Sequence, residues 1–276
     1  MGRTLNRGNI LTRWMIATTY KLATYTIIYR WIKHSGPVIF VSSRLCIKST
    51  PFGSLAEAET LHFVSQNTTI PVPKVYCAFV RKGRVYILMR RIKGQSLFHG
   101  WVYRPQESKD KIIKSLGAIV EQLQNLPNPR KGGVCNVSGG PIYDQRLPNE
   151  SFWGPFPTIH DFHVQLSGGL ATRATPTVWP QDLDKLLSFY EESCWPDSVL
   201  THGDLSASNI MADGDEIVGI VDWETAGWMP PYWEYTSAWN VNPYNKFWQE
   251  EVEKFIPQMP EALEMETIRR KYFGDF

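Results

Sequence analysis

The hydrophobic period of the chain changes near residue 94, and that change divides it. Before it, apolar residues come in short β-rich runs. Val38-Ile39-Phe40-Val41 and Leu45-Cys46-Ile47-Lys48 are separated by Ser42-Ser43-Arg44, which predicts a hairpin. Leu55, Ala58, Leu61 and Val64 or Ser65 then trace one face of a helix beginning at Ser54, where Ser54 and Glu57 have capping-box spacing. Pro71 and Pro73 forbid its continuation. Residues 74–80 and 84–92 read as two strands around the turn Arg81-Lys82-Gly83. Beyond Gly94, Ile112, Leu116, Ile119, Val120 and Leu123 recur at helical spacing after acids at Glu107 and Asp110, and Pro127 and Pro129 close that helix. Residues 132–157 are rich in Gly, Pro and Asn and predict a long ordered loop. A helix over 182–194 puts Leu183, Leu186, Leu187 and Tyr190 on one face, short strands flank Asp213-Gly214-Asp215, and charged helical sequence runs from Asn245 onward.

The N-terminal segment fits neither pattern. Residues 10–32 are apolar and aromatic but interrupted by Arg13, Lys21 and Arg30, and charges near the middle of a membrane span are costly. A transmembrane helix and a secretory signal are therefore not expected. An amphipathic helix packed on the body of the protein is the first reading. An Arg-rich, Thr-rich, acid-free segment is also the composition of a mitochondrial presequence, which stands second to a cytoplasmic location. Met1-Gly2 is no myristoylation signal, because Asn6 stands where Ser or Thr is required.

Composition narrows the class. The 276 residues are 43% hydrophobic, 20% charged and 13% aromatic, with a net charge of +2, which describes a core-forming globular chain. Near-neutrality argues against a nucleic-acid binder that works by cationic attraction. Cys46, Cys77, Cys135 and Cys194 lack metal-ligand spacing and read as buried reduced thiols. The charge is unevenly spread: residues 1–56 hold eight basic residues and no acid, and all 27 acids begin at Glu57.

The candidate chemistry lies in His202-Gly203-Asp204-Leu205-Ser206-Ala207-Ser208-Asn209 and in Ile220-Val221-Asp222-Trp223-Glu224. Kinase catalytic loops place an Asp five residues before an Asn, with a second Asp after a short hairpin. The first Asp accepts a hydrogen bond from the attacking hydroxyl. The Asn and the second Asp are oxygen ligands suited to Mg2+. Asp and Asn also favour turns, but that alone does not account for Asp222 at matching spacing.

This text resembles the aminoglycoside phosphotransferase-like family, of the choline kinase type with a protein kinase-like fold, and within it an uncharacterised fungal branch of small-molecule kinase-like proteins. Glu57-Ala58-Glu59, Ile70-Pro71-Val72-Pro73-Lys74-Val75, the run from Tyr86 to Gly94, Gly154-Pro155-Phe156 and the run from Ala226 to Tyr235 stand in the family's order, so the likeness covers roughly residues 38–239. It implies an α+β bilobal fold. A basic N-terminal helical extension (1–34) would precede a small antiparallel-sheet N-lobe with one main helix (35–93), followed by a larger, mostly helical C-lobe (94–276). It implies an ATP- and Mg2+-dependent phosphotransferase acting on a hydroxylated small molecule. Asp204 would be the catalytic base or hydroxyl-orienting residue, with Asn209 beside it in the catalytic loop; Asn209 and Asp222 would bind Mg2+. Lys48 would neutralise the α- and β-phosphates and Glu57 would hold it, with Glu59 the rival partner. Met89 would back the adenine pocket, and the backbones of Arg90 and Ile92 would bond the adenine.

Blander readings attach to the neighbours. His202 reads as a buried support for the loop, Trp223, Trp228, Trp233 and Trp239 as core, and Asp213, Asp215 and Glu216 as a solvated turn. The sequence departs from kinases in having only Gly36 before Lys48 and no GxGxxG loop. The alternative is accordingly a catalytically silent kinase-fold binding protein. A hydrolase using Asp204, Asp222 and Glu224 ranks third, since it leaves Lys48 and Asn209 unexplained. Missing HRD and APE segments argue against a protein substrate, and nothing in the sequence implies a protein partner or names the acceptor.

Overall fold

The structure, a computed structural model, describes residues 4–25, 34–148, 150–172, 178–192, 195–240 and 246–274. The expectations for Met1-Gly2, for residues 26–32, for Cys194 and for Asn245 lie outside the described residues. The chain forms two compact units, one of residues 1–97 with 210–221, the other of 98–209 with 222–276.

The first unit is built on a five-stranded antiparallel sheet. Its strands are β1 (His34–Ser35), β2 (Val38–Phe40), β3 (Leu45–Thr50), β4 (Val75–Arg81) and β5 (Arg84–Arg90), in the order β1-β2-β3-β5-β4. Ser42-Ser43-Arg44 closes the β2–β3 hairpin as its composition predicts, with Ser42 Oγ accepting from the Arg44 and Leu45 N–H groups at 3.1 Å. Helix α1 (Ile10–Ala23) is capped by Asn9 Oδ1, which accepts from Thr12 N–H. It packs Ile16, Ala17 and Ala23 on Ile39, Ile47, Cys77 and Phe79 of the sheet. Helix α2 (Ala56–Asn67) buries Ala58, Leu61 and Val64, the face its period marks. Strand β6 (Gln95–Ser96) pairs with β10 (Ile210–Asp213), which forms a hairpin with β11 (Glu216–Ile220). Residues 210–221 thus return to the first unit, where Gly219 is required by Ile92: a Cβ there would lie 2.8 Å from the Ile92 side chain.

The second unit is mostly helical. Helix α3 (Gln106–Gln124) buries Ile112, Leu116, Ile119, Val120 and Leu123. The glycine-rich stretch that follows carries a small hairpin of β7 (Ile142–Tyr143) and β8 (Phe152–Trp153). Helix α4 (Ile159–Leu166) is opened by a capping box between Thr158 and Asp161. Helix α5 (Gln181–Glu192) packs against α8 (Pro260–Phe273), with Lys185 paired to Glu264 at 2.7 Å. Strands β9 (Val199–Thr201) and β12 (Gly227–Met229) pair on either side of the chemistry-bearing loops, and α6 (Trp233–Asn240) and α7 (Lys246–Val252) follow. Aromatic and aliphatic side chains of α4, α5, α6 and α8 share one core that includes Phe162, Tyr190, Trp233 and Met265. Trp223, Trp228 and Trp233 are buried and Trp239 half-buried, so these indoles serve packing. Antiparallel sheet in one unit and helices in the other make the chain α+β.

Cys46, Cys77 and Cys135 are free and buried. Among the described residues no helix is long and apolar enough to cross a membrane.

Candidate active site

The site residues read from the sequence fall into both units. In the first, Lys48 lies on β3 opposite Val38 and Ile87, and its Nζ meets the Glu57 carboxylate at 2.9 Å. Both side chains are more than nine-tenths buried. Taking two such charges out of water is costly, so the pair must be held in good geometry by its surroundings. Glu57 sits in the first turn of α2, but the capping box with Ser54 does not form. Leu55 is the N-cap residue and makes no side-chain cap bond, while Ser54 Oγ accepts from Ala56 N–H. The lysine draws the carboxylate instead. Glu59, the rival, lies 3.7 Å from Arg7.

Along β5, Met89 is buried, and its carbonyl accepts from the Cys46 thiol at 3.7 Å. Burial pushes that thiol up to about 11 against the lowering effect of Arg91. Arg90 is exposed and its N–H is taken by the Lys74 carbonyl at 2.8 Å, so a backbone bond from Arg90 to a ligand must use its carbonyl. The Arg91 guanidinium covers the Phe40 ring at 4.1 Å, and Ile92 is half-buried.

In the second unit, the loop after β9 carries Asp204 and Asn209, and Asp222 follows the β10–β11 excursion. Gly203 has φ of +77°, and a Cβ there would meet the Thr225 carbonyl oxygen at 2.8 Å, so the turn before Asp204 needs glycine. Asp222 is itself in the left-handed region at φ of +67°, which an Asp tolerates better than most residues. Asn209 donates from Nδ2 to the Asp204 carbonyl at 3.0 Å, which fixes which end of its amide is oxygen. The Asp204 N–H donates to His202 Nδ1 at 3.1 Å, and His202 is fully buried against Trp223, the supporting position read from the sequence. Thr225 Oγ1 donates to the His202 carbonyl, and Trp248 Nε1 to the Leu205 carbonyl.

Two further groups hold this loop, neither of them assigned a role from the sequence. Glu234, on α6, is buried and accepts from the N–H of His202 at 2.5 Å and of Gly203 at 3.1 Å. Burial pushes its carboxyl up to about 7, although those two N–H bonds hold it down. Arg146 makes a bidentate pair with the buried Asp144, at 2.8 and 2.6 Å, and its Nη2 also donates to the Gly203 carbonyl. Glu234 had a signal: an acid set among Tyr232, Trp233 and Tyr235 must be partnered if it is buried. Arg146 had none, since it lies in the aperiodic loop, 57 residues from Gly203.

One oxygen of Asp204, Oδ1, is buried and has no hydrogen-bond partner among the described residues. Burial pushes the carboxyl up to about 6 and Asp222 adds to the rise, against Arg146 and the neighbouring Ser206 and Asn209 side chains, which hold it down. A carboxyl raised toward neutrality in this way suits general-base work. Carboxylate oxygens of Asp222 and Glu224 lie within 4.8 Å of each other, a set of hard donors that fits a cation such as Mg2+. Asp213, Asp215 and Glu216 are exposed on their turn.

Known proteins resemble the chain over most of this framework. The profile of the phosphotransferase enzyme family matches residues 35–270. The aminoglycoside 3'-phosphotransferases of Escherichia coli and Salmonella typhimurium are each 24% identical over 193 residues, covering 68% of this chain. That alignment spans 65% of each relative, just under two thirds of its length. A thermostable mutant of aminoglycoside phosphotransferase APH(4)-Ia, solved as a ternary complex with ADP and hygromycin B, superposes with a TM-score of 0.59 at 17% identity, over 84% of this chain and 78% of that one. The gentamicin complex of APH(2")-IIa gives a TM-score of 0.54 at 14% identity, over 90% and 86%. At these identities the two structures show a shared fold.

Proposed function

The chain belongs to the phosphotransferase enzyme family, and from that membership we propose that it is an ATP- and Mg2+-dependent phosphotransferase whose acceptor is a hydroxyl of a small molecule. The observation that carries the reading is Asp204. Its Oδ1 is buried and lacks a partner among the described residues, its carboxyl is raised toward neutrality, and its loop is fixed from both sides by Glu234 and Arg146. In this reading Asp204 accepts the hydrogen bond of the attacking hydroxyl and takes its proton as the oxygen bonds to the γ-phosphorus, while the bond from that phosphorus to the bridging β-phosphate oxygen breaks and ADP leaves. Asn209 Oδ1 and the Asp222 carboxylate would hold the metal, with Glu224 near enough to share it. When bound, Mg2+ neutralises charge on the phosphate oxygens. Lys48, steadied by Glu57, would do the same at the α- and β-phosphates, while Met89 and the backbones of Arg90 and Ile92 would receive the adenine. The ADP and hygromycin B held by the APH(4)-Ia structure, and the aminoglycosides named for the 3'-phosphotransferases, support the same class.

A catalytically silent, ligand-binding protein is the second reading. It is favoured by the β1–β2 turn, which contains Gly36 alone where kinases place several glycines over the phosphates. Incubating the protein with ATP, Mg2+ and a panel of hydroxylated metabolites and antibiotics separates the two. Acceptor-dependent ADP release supports the first. A thermal shift with ATP and Mg2+ but no ADP release across the panel supports the second.

A further inference from the structure

Helix α1 has two apolar faces, and the sheet covers only one. At 100° per residue, Ile16, Tyr20, Ala23 and Ala17 share the arc that packs on the sheet. Ile10, Trp14, Leu11, Leu22 and Met15 share a separate arc of about 140°. These five side chains are between 54% and 88% exposed. Lys21 and Thr18 lie on that second arc with them.

The second face is bordered by positive charge from another element. Trp14, Thr18 and Lys21 wall a groove of about 690 Å³ whose far side is Arg81, Lys82 and Arg84, on the β4–β5 turn. Among the described residues no acid lines this groove, and none occurs in the sequence of residues 1–56. Among the described residues Lys21, Arg81 and Lys82 form no ion pair. The helix is also fixed in place: Asn6 Nδ2 donates to the Tyr76 carbonyl, and the Ala78 N–H donates to the Asn6 carbonyl.

We propose that this face of the first unit docks on an anionic lipid bilayer, with the exposed apolar side chains of α1 entering the headgroup region and Lys21, Arg81 and Lys82 meeting lipid phosphates and carboxylates. An apolar stripe containing Trp and Leu, flanked by cations, is the composition of a helix lying in a membrane interface. Cations near an anionic leaflet add attraction that salt screens. A protein that wraps the helix in a groove fits less well, because it would have to strip Ile16, Ala17 and Ala23 from the sheet. The proposal is independent of phosphotransfer, so it stands or falls separately from the reading of Asp204.

The test is sedimentation of the full chain with phosphatidylcholine vesicles, with and without phosphatidylserine, at low and high salt. The protein should pellet with the serine-containing vesicles, release in high salt, and partition weakly onto phosphatidylcholine alone. Leu11→Glu and Lys82→Glu, both at exposed positions, should each weaken the partition about tenfold while leaving the thermal melt unchanged. Equal partition of both variants and parent would overturn the proposal, as would failure to pellet with anionic vesicles. A stable dimer lost in Leu11→Glu, without vesicle binding, would assign the face to a second copy of the chain instead.

Discussion

Glu234→Ala removes the carboxylate that ties α6 to the loop before Asp204. The N–H groups of His202 and Gly203 both donate to it, and both residues are buried. Each buried N–H left without an acceptor costs about 1–3 kcal/mol, so the pair implies about 2–6 kcal/mol. Burial of the carboxyl offsets part of this, because its raised position near 7 shows that the charged form is disfavoured. Glu234→Gln keeps one acceptor but turns an NH2 toward the other N–H, which implies about 1–3 kcal/mol. The raised carboxyl also fixes the sign with pH. Its contribution is complete below the unfolded value near 4.5 and is lost as pH rises through about 7. The stability gap between parent and the Gln variant should therefore narrow from pH 5 to pH 8. Urea unfolding followed by far-UV circular dichroism at both pH values measures it. An Ala variant within about 0.5 kcal/mol of the parent, or a gap that widens with pH, would overturn this role for Glu234.

Three other perturbations are equally open to measurement. Lys48→Met takes from Glu57 its 2.9 Å partner in a buried setting and should cost about 3–5 kcal/mol, and adding Glu57→Leu should recover part of the loss in a double-mutant cycle read by urea unfolding. Asp204→Asn should stabilise the metal-free protein by about 1–2 kcal/mol at pH 8 and not at pH 4, because the carboxyl is raised to about 6 and its burden appears only above its unfolded value; melts in chelator across that range check it. Arg146→Lys cannot reproduce the fork that grips Asp144 and the Gly203 carbonyl, and should lower phosphotransfer on the order of tenfold to a hundredfold with nucleotide affinity little changed, as titration calorimetry beside the rate assay would show.

What the sequence makes legible is what local periodicity and fixed spacing encode. Val38 to Ile92 carries short apolar runs and one helical period with their turn residues in place, and folds as an antiparallel sheet with one helix. The Asp204–Asn209 loop is recognisable because its residues are close in sequence. The capping-box spacing of Ser54 and Glu57 misleads because a local signal there loses to a lysine nine residues away. Arg146 and Glu234 act on Gly203 across 57 and 31 residues, distances over which no period survives. The same limit applies to α1, whose apolar residues predict an amphipathic helix but leave open which of its faces the sheet would take.

The central claim is that Asp204 serves the acceptor while Lys48 serves the nucleotide. Titration calorimetry with ATP and Mg2+, paired with a phosphotransfer assay on Asp204→Ala and Lys48→Met, tests that division directly. Asp204→Ala should bind nucleotide like the parent and transfer nothing, whereas Lys48→Met should lose nucleotide affinity. Transfer persisting in Asp204→Ala, or unchanged nucleotide binding in a folded Lys48→Met, would contradict that division.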